Sequence, residues 1–264
     1  MATDDELYEV FAIRFAHDGD AVRGNHFYGP EPRGSSPHPT DYYFWLARSP
    51  YRTVLVDAGY TAETAQRRGR EYLVEPVETL HWLGVAPADV ETVIISHLHW
   101  DHIGHVPAFP DSRLVLQERE MAFWTGRYSG RGDFARTLAA DDVVHILRRV
   151  WDDGVDLIDG DREIHPGISV HLVGGHTPGM QIARVRTAAG HVVLASDASH
   201  FYENIEGDRP FAVLNHLPTM YDAFDRINAL ADGPELIVAG HDPEVLRRFP
   251  AVSEDLEGLV VRIA

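Results

Sequence analysis

Residues 97–102, which read His-Leu-His-Trp-Asp-His, constrain the fold of this chain more than any other segment. They follow the β-branched run Thr92–Ile95, which predicts a short strand. Alternate residues of a strand share a face, so the first two histidines project in the same direction, while the aspartate and the third histidine fall in a turn that leads towards a helix. The segment therefore predicts four ligand-type side chains gathered at the end of one strand.

The chemistry of these side chains points to bound metal. Imidazole and carboxylate groups are ligands of Zn²⁺ and of comparable divalent ions. Three imidazoles and one carboxylate within six residues are more than a single tetrahedral ion conveniently uses, so we predict a site for two ions, ~3.5–4 Å apart. The chain has no cysteine, so this site must be built from histidine and carboxylate alone.

Three further ligand-type residues occupy the same kind of position along the chain. Each follows a run that predicts a strand: His176 after Ser169–Val173, Asp197 after Val192–Ala195 and His241 after Leu236–Val238. Functional side chains are often carried by loops at the ends of strands. Taken alone, each residue is typical of a hydrogen-bonded loop, but four such strand ends in one chain favour a common site.

The remaining patterns predict a mixture of strands and helices. Strand-like runs dominate residues 7–117 and 155–250, which suggests two packed sheets with helices outside them. Apolar residues at helical spacing predict one helix over Thr61–Leu83, and the composition of Phe134–Val150 predicts another. Asp18–Thr40 is rich in Gly, Pro and Ser, which predicts a long loop that is functional or mobile.

This ordered series of residues resembles the metallo-β-lactamase superfamily, whose pattern is H-x-H-x-D-H followed by a distant His, then Asp, then His. The turn at Val54–Gly59 is similar to the Asp-Thr/Ala-Gly turn of the superfamily. The resemblance implies an α/β fold, a four-layer αββα sandwich in which two similar halves contribute mixed sheets packed face to face. It also implies a single domain over residues 1–264 and a dinuclear metal centre.

The resemblance further implies how two ions divide the ligands. The first ion would be held by His97, His99 and His176, and the second by Asp101, His102 and His241. Asp197 would bridge the two ions. Asp57 is a candidate acceptor for an imidazole N–H of a ligand, and a turn-capping carboxylate is an equally good interpretation of it.

Within the superfamily, the chain resembles the N-acyl-homoserine lactonase family. Three segments look like segments of that family: residues 175–179, 197–204 and 240–242. One position departs from that family. A tyrosine that hydrogen-bonds the substrate carbonyl in family members is replaced here by His200, and the nearest tyrosine is Tyr202. Either side chain is therefore a candidate contact for the carbonyl oxygen.

The resemblance implies a metal-dependent hydrolase that opens the ring of an N-acyl-homoserine lactone or a related lactone. In that chemistry a hydroxide shared by two divalent ions attacks the carbonyl carbon, and Asp101 carries a proton to the leaving alkoxide. Zn²⁺ is the expected metal, with Fe²⁺, Co²⁺ and Mn²⁺ as alternatives. The alternative function is hydrolysis of another ester, a thioester or an amide at the same site, as in a glyoxalase-II-like thioesterase or a β-lactamase.

The charge of the chain limits its partners. A formal net charge of −18 disfavours nucleic acid and anionic membranes, which would be repelled at long range. The acidic N-terminus, Met1–Glu9, is unlike a secretory signal, and no run approaches the ~18 consecutive apolar residues of a membrane helix. We therefore expect a cytoplasmic protein that binds a small lactone or ester, with a homodimer left open.

Overall fold

The computed structural model describes residues 6–264, so the first five residues of the acidic N-terminal segment lie outside the described residues. The strands are β1 (Glu9–Asp18), β2 (Thr40–Arg48), β3 (Thr53–Val56), β4 (Glu71–Tyr72), β5 (Thr92–Ile94), β6 (Arg113–Gln117), β7 (Val155–Ile158), β8 (Arg162–His165), β9 (Ile168–Leu172), β10 (Gln181–Thr187), β11 (Gly190–Ser196), β12 (Ile237–Ala239) and β13 (Val260–Arg262). The helices are α1 (Ala62–Arg68), α2 (Pro76–Trp82), α3 (Trp100–Ile103), α4 (Glu118–Trp124), α5 (Gly132–Arg136), α6 (Ala140–Trp151), α7 (Tyr202–Glu206), α8 (Leu217–Leu230) and α9 (Val245–Arg248). None of these described helices has the length and apolar character needed to span a bilayer.

The strands form two mixed sheets. The first has the order β13-β1-β2-β3-β5-β6-β7, with β4 paired to β1. Its strands from β3 to β7 are parallel, whereas β1, β2 and β13 pair antiparallel. The second sheet has the order β12-β11-β10-β9-β8 and is antiparallel except for the parallel pair of β11 and β12.

Three groups of buried apolar side chains separate four layers. Neighbouring residues of a strand point to opposite faces, so Phe44 and Trp45 of β2 enter different cores. Phe44 shares a core with Ile146 of α6, whereas Trp45 shares one with Leu194 of the second sheet. The outer face of the second sheet packs with Ile227 of α8. The layers are therefore helix, sheet, sheet and helix, and the predicted αββα sandwich is confirmed.

The second half of the sandwich begins later in the chain than the strand pattern predicts. β7, which starts at Val155, pairs parallel with β6 and so belongs to the first sheet. A parallel neighbour needs a crossover connection, and α6 runs between β6 and β7 along the chain. The second sheet therefore begins at β8 rather than at residue 155, while β13 returns to the edge of the first sheet.

The predicted helix over Thr61–Leu83 is interrupted. It contains α1 and α2, which are separated by the short strand β4. Gly69 ends α1 with a φ of 66°, a left-handed conformation that glycine adopts without steric cost. Pro76 then begins α2, because its missing N–H is not needed in the first turn of a helix.

The predicted helix over Phe134–Val150 is also interrupted, between α5 and α6. The guanidinium of Arg68 donates hydrogen bonds to the carbonyl oxygens of Arg136 and Leu138, at 2.7 and 3.4 Å. These acceptors are therefore satisfied by a side chain from a distant part of the chain rather than by a continuing helix. Such a contact leaves no trace in the local periodicity.

The loops after β3, β5, β11 and β12 leave the sandwich at one edge. β3 and β5 are parallel neighbours in the first sheet, and β11 and β12 are parallel neighbours in the second. The carboxyl ends of parallel strands meet at the same edge of a sheet, which is where open α/β sheets carry their sites. Most of the predicted ligands follow β5, β11 and β12, whereas His176 follows β9 and Asp57 follows β3.

Candidate metal centre

The structure brings all seven predicted metal ligands together in two groups, and in each group the donor atoms lie within 4.8 Å of one another. One group is His97, His99, His176 and Asp197, and the other is Asp101, His102 and His241. Asp197 faces both groups, because its Oδ2 lies 3.3 Å from His176 Nε2 and its Oδ1 lies 2.9 Å from His241 Nε2. This grouping coincides with the division implied by the resemblance. That these residues bind metal stays a prediction.

Asp57 joins the ends of three strands next to the centre. It follows β3, is fully buried and has a φ of 62°, which a short polar side chain tolerates. Its Oδ1 accepts a hydrogen bond from the Ser96 N–H at 2.8 Å. Its Oδ2 accepts from the hydroxyls of Ser96 and Ser196 and from His102 Nδ1, at 2.8, 3.0 and 2.8 Å. Asp57 thus caps the turn after β5 and also orients the ring of His102.

Hydrogen bonds on the far side of three imidazoles determine which nitrogen faces the centre. In each ring Nδ1–H donates to a fixed acceptor: Asp57 Oδ2 for His102, the carbonyl oxygen of Val213 for His176 and the carbonyl oxygen of Asp41 for His241, at 2.8, 2.7 and 2.8 Å. In the neutral ring Nε2 then carries a lone pair. Each Nε2 lies close to Asp197, at 3.3 Å for His102 and His176 and at 2.9 Å for His241.

This arrangement fits a bound cation. Imidazole lone pairs and the negative charge of Asp197 face one another in a buried space, which is unfavourable unless positive charge lies between them. Among the described residues, Nε2 of His97, Nε2 of His102 and Oδ1 of Asp197 are buried atoms without a hydrogen-bond partner. A set of histidine and carboxylate donors suits Zn²⁺, Fe²⁺, Co²⁺ or Mn²⁺. The residues present therefore fit a centre for divalent metal ions.

The pKa shifts of His241 and His102 also indicate that the centre favours positive charge. Burial lowers the pKa of His241, but the carboxylates of Asp197 and Asp101 raise it by more. The pKa of His241 therefore lies above the ordinary value for histidine. Burial is likewise outweighed at His102, where Asp197 and Asp101 hold the pKa well above its ordinary value. Burial and neighbouring imidazoles hold the pKa of His97 well below its usual range, which keeps that ring neutral and able to donate a lone pair.

Asp101 is the most exposed of the seven predicted ligands. The residue is 9% exposed, and the other six are 5% exposed or less. Its Oδ2 lies 3.6 Å from Nε2 of both His102 and His241. Asp101 therefore lies beside the imidazoles of the second group and keeps more access to solvent than the other predicted ligands.

The two candidates for contact with the substrate carbonyl have different surroundings. His200 Nε2 lies 2.9 Å from Asp197 Oδ2, and its ring stacks on Phe211 with centroids 3.4 Å apart and planes 6° apart. Its Nδ1 is buried and has no partner among the described residues, and burial lowers the pKa of the ring to about 3. Tyr202 instead packs in the core between the sheets, with the guanidinium of Arg248 3.4 Å from its ring centroid.

A cleft of about 590 Å³ opens beside the centre. His99 and His176 form part of its wall, next to the aromatic side chains of Phe123, Trp124 and Phe134. Polar residues also line it, among them Asn25, Thr177 and Asn215. The cleft can therefore receive a small molecule that combines an apolar portion with a polar head.

The long loop predicted over Asp18–Thr40 is anchored and contributes to this cleft. Arg23 donates to both carboxylate oxygens of Glu203, at 2.9 and 2.7 Å. Arg209 donates to Glu203 and to Glu31, at 2.6 and 2.7 Å, and so ties the loop to the segment after α7. The loop is thereby held where Asn25 lines the cleft.

Sequence reasoning missed several contributors to the centre. The carbonyl oxygens of Asp41 and Val213 orient two ligands, but every residue has a carbonyl, so no sequence signal marks them. His200 joins Asp197 and His241 in a further group of close donors, although the sequence indicated only a substrate contact for it. Glu120 is fully buried beside the loops that carry predicted ligands. Its position shortly after the predicted strand at 113–116 is the sequence signal that could have marked it as a candidate.

Comparisons with known proteins agree with this geometry. The sequence profile described as the metallo-beta-lactamase superfamily matches residues 39–241. The N-acyl homoserine lactonase AiiB of Agrobacterium fabrum strain C58 is 35% identical over 225 residues, which are 78% of this chain and 80% of that protein.

Two solved structures share the fold. An N-acyl homoserine lactone hydrolase with the product N-hexanoyl-L-homoserine bound at its catalytic metal centre is 22% identical, with a TM-score of 0.76 over 94% of this chain and 98% of that one. AidC, a dizinc quorum-quenching lactonase in complex with a product, is 15% identical, with a TM-score of 0.68 over 91% of this chain and 92% of that one. The chain therefore belongs to the metallo-beta-lactamase superfamily, within which it resembles the N-acyl homoserine lactonases.

Proposed function

We propose that the protein is a metal-dependent hydrolase that opens the ring of N-acyl homoserine lactones or closely related lactones. One observation carries the proposal: two groups of histidine and aspartate donors meet at Asp197 beside a cleft with both aromatic and polar walls. The relative from Agrobacterium fabrum, which bears the lactonase name and aligns with most of both chains, supports the substrate class. A net charge of −18 favours a neutral substrate over a polyanion.

In this proposal each group of donors holds one divalent ion. The ligands are His97, His99 and His176 for one ion, Asp101, His102 and His241 for the other, and Asp197 for both. When bound, such ions supply Lewis acidity and lower the pKa of water towards neutrality. We propose Zn²⁺ as the metal, because it is readily bound by histidine and carboxylate, and the alternatives Fe²⁺, Co²⁺ and Mn²⁺ accept the same donors.

Asp101 moves the proton in the proposed reaction. Opening of the lactone turns the ring oxygen into an alkoxide, which needs a proton as the C–O bond breaks. Asp101 is the ligand with the most exposed side chain, so its carboxyl group can take a proton from the attacking water and deliver it to the leaving oxygen. The buried Asp197 lacks that access, because its side chain is 3% exposed.

His200 is the proposed contact for the substrate carbonyl, in preference to Tyr202. The Nε2–H of His200 faces Asp197 Oδ2 at 2.9 Å, and stacking on Phe211 holds the ring in one orientation. A neutral ring has one N–H, so in the proposal this same N–H would donate to the substrate carbonyl when Asp197 holds metal. Tyr202 packs in the core between the sheets. A side chain held in place by its neighbours loses little entropy when it orients a substrate.

Replacing His200 by Ala is expected to lower kcat by about 10²-fold, which is the effect of removing one hydrogen-bonding group from a developing oxyanion. Metal content, measured by elemental analysis, should stay unchanged. Tyr202→Phe is the matched control and should retain the wild-type kcat. If His200→Ala has unaltered kinetics, His200 has no part in the reaction; loss of metal from this variant would make it a ligand instead.

Three other features of the proposed enzyme concern its domains, its oligomeric state and its location. We propose a single domain over residues 1–264, since one sandwich accounts for the described strands. A homodimer and a cytoplasmic location also stay predictions. Sedimentation velocity of the purified protein would determine the oligomeric state.

The proposed function is tested with a substrate panel on purified, metal-analysed protein. N-acyl homoserine lactones, simple lactones, linear esters, thioesters and β-lactams are compared, with ring opening followed by pH-stat titration. We expect the highest kcat/KM for the acyl homoserine lactones and about two divalent ions per chain. Preference for a thioester or a β-lactam would favour the alternative function, whereas less than one ion per chain after reconstitution would exclude the dinuclear centre.

A further inference from the structure

Glu120, in the first turn of α4, is a fully buried carboxylate with no role in the proposed reaction. Its Oε1 accepts hydrogen bonds from the backbone N–H of Leu98 at 3.0 Å and from the indole N–H of Trp124 at 2.6 Å. Its Oε2 accepts from the hydroxyl of Thr177 at 2.8 Å and from the backbone N–H of Gly179 at 2.9 Å. Both oxygens are thus occupied by donors, which is the environment of an ionised carboxylate.

Apart from Trp124, these donors belong to the two loops that carry the predicted ligands His97, His99 and His176. Leu98 stands between His97 and His99, and Thr177 follows His176 directly. The carboxylate of Glu120 therefore links two loops that are more than seventy residues apart along the chain. It also fixes Trp124, whose ring meets the edge of His99 with centroids 5.2 Å apart.

The close approach at Gly179 shows that this link is built into the fold. A Cβ atom at position 179 would lie 2.4 Å from the backbone nitrogen of Glu120 and 2.8 Å from its Cα, distances that no side chain can occupy. Glycine is the residue that permits such an approach of two backbones. Close contact with the backbone of Glu120 thus explains why position 179 is a glycine.

The link bears on the spacing of two ligands. Nδ1 of His99 and Nε2 of His176 lie 2.9 Å apart, and each ring is attached to a loop that Glu120 holds. Burial raises the pKa of Glu120, whereas the hydrogen bonds that it accepts from Leu98, Trp124, Thr177 and Gly179 lower it. A shift of either loop would leave buried donors without an acceptor.

We propose that Glu120 is a positioning residue that sets the geometry and the affinity of the metal site formed by His97, His99 and His176. This inference rests on the proposed metal centre, but it concerns metal binding and does not depend on which substrate is hydrolysed. Residues that orient metal ligands typically change metal affinity by about 10–100-fold when they are replaced. Glu120 acts through the backbone of the ligand loops rather than through a ring nitrogen.

The test is competition for Co²⁺ or Zn²⁺ between a chromophoric chelator and the full-length protein. Glu120→Gln keeps the size of the side chain but turns one acceptor oxygen into an NH₂ group, which faces donors. We expect one of the two metal sites to weaken by about 10–100-fold while the other keeps its affinity. The visible spectrum of the Co²⁺-loaded protein should change for the weakened site only.

Glu6→Gln is the matched control, because Glu6 is also buried but pairs with Arg52, at 3.4 Å, away from the ligand loops. It should leave both metal affinities unchanged. Two unchanged affinities in Glu120→Gln would overturn the inference, and so would an equal weakening of both sites in both variants. A wild-type protein that binds no metal would instead refute the proposed centre itself.

A second pair of variants covers the case in which Glu120→Gln does not fold. Thr177→Val removes one hydroxyl donor to Glu120, while Thr177→Ser keeps it. Thr177→Val should weaken the same site and Thr177→Ser should restore its affinity and its Co²⁺ spectrum. Equal behaviour of the two variants would overturn the inference.

Discussion

Replacing Asp101 by Asn is expected to lower kcat for lactone opening by about 10²–10⁴-fold, the usual contribution of a group that transfers a proton in the transition state. Asparagine keeps an oxygen that can face the metal ion, but its amide cannot carry a proton. Two of the seven predicted ligands are carboxylates, and the side chain of Asp101 is the more exposed of them, at 11% against 3% for Asp197. The kcat is measured on N-hexanoyl homoserine lactone by pH-stat titration.

Metal content distinguishes this effect from simple loss of an ion, so each preparation is analysed for metal before its kinetics are measured. Asp161→Asn, at an exposed carboxylate that pairs with His171 and Arg226, is the matched control and should retain the wild-type rate. A substrate with a better leaving group should recover part of the lost rate in Asp101→Asn, because its oxygen needs less help from a proton. A near-normal kcat in metal-replete Asp101→Asn would remove the proton-transfer role.

Removal of the metal ions is expected to abolish lactone hydrolysis and to lower the melting temperature. The centre buries imidazole lone pairs against Asp197, and without a cation these groups repel one another or must take up protons. Each site stabilises the folded state by about 4 kcal/mol when the free ion exceeds its Kd a thousand-fold. Each kcal/mol corresponds to about 2–4 °C in Tm for a chain of this size.

The measurement is differential scanning calorimetry of the protein before dialysis against a chelator, after it, and after Zn²⁺ is added back. Activity and Tm should fall together and return together. Full activity in protein that elemental analysis shows to be free of metal would contradict the proposed centre. An unchanged Tm in the metal-free protein would show that the cluster is stable without a cation.

Much of the candidate site could be predicted because its candidate ligands are marked by local sequence patterns. The spacing of His97, His99, Asp101 and His102 follows from the geometry of one strand and the turn after it, so a short segment contains the information. His176, Asp197 and His241 also follow strands directly, and the structure brings all of them together. The αββα fold followed from the resemblance that these residues carry, and it is confirmed.

What periodicity could not predict depends on contacts between distant residues. The break between α5 and α6 involves the guanidinium of Arg68, and the edge position of β13 depends on its pairing with β1. Neither contact is visible in a window of ten or fifteen residues, because both partners lie far apart along the chain. Helix propensity is a weak preference that such tertiary contacts readily override.

The sequence by itself therefore determined the type of chemistry, since ligand-type side chains at successive strand ends are a local property. Only the tertiary structure decided how those side chains are oriented. His102 is held by Asp57, His176 and His241 by backbone carbonyl groups, and the loops of the first group by Glu120. The physical reason is that a hydrogen bond depends on the distance and angle between two atoms, and these are set only when the two sheets pack.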